Sequence, residues 1–234
     1  MRILIFAIGV VFCIAMLTGD AFAVTYGFES GRYGFNPDTP HTFLCNTTLS
    51  IDNAQGKPAP SLAVRGNRGM ALEVSRQGFT GNFRQAGYNR ISLDIKVISW
   101  WPNQNLPAPK PMFIIQGANN MKAWGTDAKG FDPKALGQWQ HVYAYFNPKW
   151  TDTEAQNAGW RLVPSNLAPV SFKETLGNVF VTGFWIQVRD VGAESHYLID
   201  NYALSRLPPH KSLKPSGRII FKSVPETQRR KLPK

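Results

Sequence analysis

Ile91-Ser92-Leu93-Asp94-Ile95-Lys96-Val97 alternates apolar and polar side chains without a break. On an extended chain successive side chains point to opposite faces. Ile91, Leu93, Ile95 and Val97 therefore turn one way while Arg90, Ser92, Asp94 and Lys96 turn the other, which predicts a half-buried strand across 88–100. The same period recurs in 179–190, where Phe184, Ile186 and Val188 oppose Trp185, Gln187 and Arg189. It recurs again in 140–146, where Val142, Ala144 and Phe146 oppose His141, Tyr143 and Tyr145. Shorter runs at 24–29, 61–65, 70–75, 112–116 and 196–205 read as further strands, and 151–158 is the best helical segment. Many short strands separated by Gly, Pro and Asn-rich turns, each with one apolar face, predict an all-β chain folded as an antiparallel β-sandwich.

The composition agrees. Among 234 residues, 43% are hydrophobic and 18% charged, a globular balance that excludes a wholly disordered or fibrous chain. The net charge of +11 first suggests a nucleic-acid partner, but its distribution argues otherwise. Residues 206–234 hold nine Lys or Arg and one acid, so this Pro-interrupted tail carries +8. The body from 24 to 205 has sixteen basic and thirteen acidic residues, only +3, and shows no DNA- or RNA-binding motif. The expectation is one sandwich domain over 24–205 followed by a flexible basic tail over 206–234. That tail has the charge to tether the protein to an anionic cell surface or matrix.

Residues 1–23 read as an address. Ile3 to Leu17 is an uncharged, mostly apolar run, shorter than the roughly 20 residues of a membrane span, and Ala21-Phe22-Ala23 has the small-x-small pattern of a signal-peptidase site. Cleavage after Ala23 would leave a secreted or periplasmic protein that does not span a membrane. Cys13 lies in this segment, leaving Cys45 alone in the mature chain, either a small buried hydrophobe or one half of an intermolecular disulfide.

Two short motifs carry a resemblance. Tyr26-Gly27-Phe28-Glu29-Ser30-Gly31 opens the mature domain and Tyr197-Leu198-Ile199-Asp200-Asn201-Tyr202-Ala203-Leu204 closes it. Together they resemble the first and last strands of jelly-roll carbohydrate-binding modules of the galactose-binding-like type. The resemblance implies a jelly roll over most of 24–205 and a polysaccharide or glycan partner. It also implies a structural calcium ion held by Glu29 and Asp200. Calcium is a hard cation that takes about 6 to 8 oxygens, which two carboxylates and backbone carbonyls could begin to supply. The alternative is an ordinary edge position for Glu29, with Asp200 bonded to a backbone amide or an Arg. The stretches 100–111 and 148–169 are long for a minimal module.

Sugar recognition uses flat aromatic faces with planar polar side chains at the rim. His141, Tyr143 and Tyr145 supply one such set, and Trp185, Gln187 and Arg189 another. If their strands adjoin, the two sets form one surface; otherwise Trp185 and Tyr143 pack as a small second core under the loops. Trp100 and Trp101 are a separate candidate platform, of which at most one points into the core. Trp124, Trp150 and Trp160 lie in loop-like surroundings and read as loop anchors. Catalytic motifs are few: the histidines lack zinc spacing, and no nucleophile elbow or phosphate loop appears. The leading expectation is thus a non-catalytic polysaccharide binder. A matrix protein without a sugar ligand is one alternative. Another is a polysaccharide lyase using His141, Tyr143, Gln187 and Arg189.

Overall fold

The computed structural model describes residues 23–31, 35–37, 47–66, 70–75, 77–100, 110–118, 121–187 and 195–207. The expected signal segment up to residue 22, Cys45, Trp101, Arg189 and the tail from residue 208 lie outside the described residues. The first half supplies β1 (Ala23–Tyr26), β2 (Phe35–Pro37), β3 (Thr47–Asp52), β4 (Ser61–Gly66), β5 (Met70–Val74), α1 (Phe83–Ala86) and β6 (Arg90–Ser99). The second half supplies β7 (Lys110–Gln116), β8 (Trp124–Asp127), β9 (Trp139–Tyr145), α2 (Asp152–Asn157), β10 (Arg161–Leu162), α3 (Phe172–Gly177), β11 (Val181–Gln187) and β12 (Ser195–Ser205).

These strands form two antiparallel sheets, the sandwich that the alternation predicts and the jelly roll that the resemblance implies. One runs β3-β4-β12-β6-β9; the other runs β10-β8-β7-β11-β5-β2. β4 takes one half of the outer edge of β12, from Ser195 to Ile199, and β1 takes the other half, from Tyr202 to Ser205. The predicted parity holds in the middle strands. Ile91, Leu93, Ile95, Val97, Val142 and Ala144 enter the core from the first sheet, and Phe113, Ile115, Phe184 and Ile186 meet them from the second. Burying each such side chain fully is worth about 1.5–3 kcal/mol, which makes this interface the main source of stability. The hydroxyl of Tyr202 crosses it to Thr182 Oγ1 at 3.0 Å.

The opening segment departs from its expected form. Strand pairing stops at Tyr26, and Phe28–Ser30 winds into a 3-10 turn that Gly31 closes at φ +83°, a left-handed value that a side chain would strain. The tryptophans depart further. Trp124 and Trp160, expected as loop anchors, are completely buried. The segment after β9 folds inward because two capping boxes, Thr151 with Glu154 and Ser171 with Glu174, start α2 and α3. Asp152 ties the helices by accepting the Phe172 N–H at 2.7 Å. Trp124, Trp160, Phe146 and Phe172 then plug that end of the sandwich as edge-on and tilted aromatic contacts. Each buried indole N–H finds a carbonyl: Trp124 bonds Val170 at 3.0 Å and Trp160 bonds Tyr145 at 2.9 Å.

Candidate functional site

The pairing of β6 with β9 builds a row of polar and aromatic side chains on the outer face of the first sheet. Asp94 stands opposite His141, Ser92 opposite Tyr143 and Arg90 opposite Tyr145. Directly opposed side chains on one face of an antiparallel pair touch. His141 Nδ1 lies 2.8 Å from Asp94 Oδ1, and the Arg90 guanidinium meets Nε2 of the same ring. A guanidinium only donates, so Nε2 is the acceptor and Nδ1 carries the proton that goes to Asp94. The contact between His141 and Asp94 is therefore a hydrogen bond from the Nδ1–H tautomer.

Asp94 is itself braced. Its second oxygen accepts the Asn201 amide at 3.0 Å and lies 3.7 Å from Lys57 Nζ. Burial works to raise the pKa of this carboxyl, but the hydrogen bonds from His141 and Asn201 and the Lys57 charge outweigh burial and hold it below the ordinary aspartate value. Asn201 reaches this position through a bulge. Between Asp200 and Ala203 the register of β12 on β6 shifts, with Asn201 at φ +49°. The extra residue lets both Ile199 and Tyr202 face the core while Asn201 serves the outer side.

Further along β9, the Tyr143 and Tyr145 rings lie 5.1 Å apart at 58°. The Arg90 guanidinium carbon is 4.9 Å from the Tyr143 ring centre and 5.8 Å from that of Tyr145. Lys129 Nζ lies 5.9 Å from the Tyr145 ring. Lys129 is placed by a short bridge in which its N–H and that of Tyr143 exchange hydrogen bonds at 2.8 and 3.1 Å. The next residue, Gly130, lies so close to β9 that a Cβ would stand 2.5 Å from the His141 carbonyl oxygen, and its φ is +83°.

The second expected set lies elsewhere. β11 sits between β7 and β5 in the other sheet, so the outer face bearing Trp185 points away from the face bearing His141, Tyr143 and Tyr145. The face bearing Trp185 and the face bearing His141, Tyr143 and Tyr145 do not make one surface. Trp185 instead packs, as Ala123 does, against a small second core of Met112, Ile114 and Val163. Gln187 ends β11 opposite Lys110. Trp100 also packs against the main core, and its indole N–H bonds Pro133 O at 3.2 Å, anchoring the 131–138 loop.

At the other end of the Asp94 network, Asp200 is buried and accepts the backbone N–H groups of Lys57 and Asn201. Burial first, and then the charges of Glu29 and Asp94, raise its pKa above the ordinary value, against the lowering effect of the two amides. Glu29 is thus close enough for its charge to act on Asp200. Its carboxylate folds back over Gly27, where an added Cβ would come within 2.6 Å. Among the described residues no group of three or more His, Cys, Asp or Glu is placed to hold a metal.

Arg90, Asp94, Lys129 and Asn201 complete the site without having been singled out in the sequence. Alternation already put Arg90 and Asp94 on a polar face; only the pairing with β9 shows what they meet.

The fold is that of the β-sandwich carbohydrate-binding modules. A Family 11 carbohydrate-binding module of the cellulosomal cellulase Lic26A-Cel5E of Clostridium thermocellum superposes with a TM-score of 0.53 at 13% identity, covering 78% of this chain and 94% of that module. A Family 11 module from the same organism, in complex with a β-1,3-1,4-mixed-linked tetrasaccharide, gives a TM-score of 0.52 with the same identity and coverage. No protein-family model matches the sequence, and no curated protein sequence matches it either.

Proposed function

We propose that the protein is an exported, non-catalytic polysaccharide binder whose ligand lies on the β6–β9 face, across Tyr143 and Tyr145 and beside His141. The carrying observation is the pair of adjacent tyrosine rings on an outer sheet face, flanked by charged and hydrogen-bonding side chains. Pyranose rings stack on such faces while the polar rim bonds their hydroxyls. The mixed-linked tetrasaccharide bound by one structural neighbour supports glycan as the ligand class. Binding without chemistry is supported by the state of His141: one ring nitrogen faces Asp94 and the other faces Arg90, which leaves no free lone pair to act as a general base. Calcium between Glu29 and Asp200 belongs to the same reading, because a cation would relieve the like-charge pressure on Asp200. Export rests on residues 1–23. Among the described residues, no helix is long and apolar enough to cross a membrane.

Affinity electrophoresis through gels containing a panel of polysaccharides tests the assignment. Tyr143→Ala and Tyr145→Ala should each lower affinity at least about tenfold for whichever polysaccharide retards the wild type, corresponding to the 1.4 kcal/mol of one lost stacking contact. Circular dichroism should show both variants folded. Retardation unchanged in both folded variants would move the ligand off this face. Absence of retardation on every polysaccharide would favour a matrix protein without a sugar ligand.

A further inference from the structure

The charge on the β6–β9 face is unbalanced in a way that selects among polysaccharides. Arg90 has no carboxylate partner among the described residues: its contacts are a neutral ring nitrogen and two tyrosine rings. Lys129 stands exposed over Tyr145, with no ion pair among the described residues. Lys96 nearby bonds the neutral Gln55 side chain at 2.8 Å. The carboxylate of this row, Asp94, already receives His141, Asn201 and Lys57. A platform for neutral sugars needs free acceptors for hydroxyl protons as well as donors. Here the carboxylate is buried and already engaged, and the charged groups without an anionic partner are cations placed 4.9 to 5.9 Å from the two ring centres.

Building on the reading of this face as a polysaccharide site, we infer that its ligand is an acidic polysaccharide of uronate residues. The pyranose rings would stack on Tyr143 and Tyr145, and the ring-borne carboxylates would be met by Arg90 and Lys129. A uronate carries its charge at the rim of the ring that stacks, within reach of cations that lie over the two tyrosine rings. Its planar carboxylate also suits a guanidinium donor. Asp94 then has a second role: by fixing His141, it keeps a hydrogen-bonded ring against Arg90 in place of a carboxylate that would neutralise the arginine.

The test uses the full chain, so that the basic tail contributes equally to every comparison between variants on one polysaccharide. Affinities for polygalacturonate, a neutral mixed-linked β-glucan and a sulfated polysaccharide are measured for wild type, Arg90→Gln, Lys129→Glu and Tyr143→Ala. The wild type should bind polygalacturonate at least about tenfold more tightly than the neutral glucan, and added salt should weaken that binding. Lys129→Glu alters an exposed side chain and so keeps the test independent of folding. It should lower polygalacturonate affinity about tenfold or more, and by a larger factor than it lowers any glucan affinity, and Arg90→Gln should act the same way. Tyr143→Ala should weaken both ligands. Equal wild-type affinity for polygalacturonate and glucan, or insensitivity to both charge variants, overturns the uronate assignment while leaving the face a glycan site. Tighter binding to the sulfated polysaccharide overturns the choice of carboxylate. Failure to bind any of the three, in protein shown to be folded, removes the polysaccharide reading itself.

Discussion

Asp94 and Asp200 face each other across β6 and β12, yet their environments push them in opposite directions. Asp94 is surrounded by donors and held low; Asp200 is raised by burial and by the neighbouring charges of Glu29 and Asp94. The linkage signs follow. A depressed carboxyl contributes stability above the ordinary aspartate pKa that is lost as pH falls through its folded value. A raised one contributes stability below the ordinary pKa that is lost as pH rises through its folded value. Melting temperatures measured against pH should therefore show Asp200→Asn removing a gain on mild acidification, whereas Asp94→Asn removes a loss at stronger acidity. At neutral pH Asp94→Asn should also cost about 2 kcal/mol in urea denaturation, the typical worth of hydrogen bonds to a charged group. That Asp200 prediction applies to calcium-free protein, because a bound cation favours the ionised carboxylate. If Glu29 and Asp200 hold the ion, a chelator lowers the wild-type melting temperature and leaves Asp200→Asn unmoved. No change in the wild type on chelation, together with no calcium in the purified protein by elemental analysis, would remove the ion from the picture.

Strands β6, β9 and β11 show what period-two alternation carries and what it does not. It assigned each of Ile95, Val142, Phe184 and Ile186 to the core, and it put His141, Tyr143 and Tyr145 on a shared outer face. It carried no information about which strand lies beside which, because alternation describes a strand's faces and not its neighbours. That is why alternation leaves open whether Trp185 shares a surface with His141 or joins a small second core, and the second holds: Trp185 packs against the Met112 and Ile114 cluster in the other sheet. The bulge at Asn201 was equally hidden, since it exists only relative to β6. The capping box Ser171 to Glu174, by contrast, is a plain Ser-x-x-Glu pattern that is legible in the sequence itself. A contrast between two aromatic residues follows from these element positions. Trp185→Ala should lower stability by about 1–2 kcal/mol, consistent with partial loss of an apolar contact area, and should leave polysaccharide retardation unchanged. Tyr143→Ala should show the reverse weighting. Equal loss of binding in both would place the ligand on the second sheet.

At the scale of the whole molecule, the two ends of the sandwich meet. Val24 of β1 pairs with Leu204 of β12, and the chain leaves the second of these strands past Asn89, whose side chain both donates to Leu207 O at 2.9 Å and accepts its N–H at 2.8 Å. Leu207 is thus still fastened to the sandwich, two residues beyond the end of β12. Asn89 precedes Arg90, so the +8 tail is rooted beside the tyrosine face. This geometry separates two sources of attraction to a polyanion: a local one at Arg90 and Lys129 and a diffuse one in the tail. Ending the chain at Leu207 should leave the melting temperature unchanged, because the hydrogen bonds of Asn89 are kept. The same truncation should reduce retention on an anionic matrix most strongly at low ionic strength, since exposed charges are screened over about 8 Å at physiological salt. The selectivity for polygalacturonate over neutral glucan should survive truncation, as it belongs to the face. A truncated chain that loses that selectivity while remaining folded would transfer the recognition of acidic polysaccharide from the sandwich to the tail.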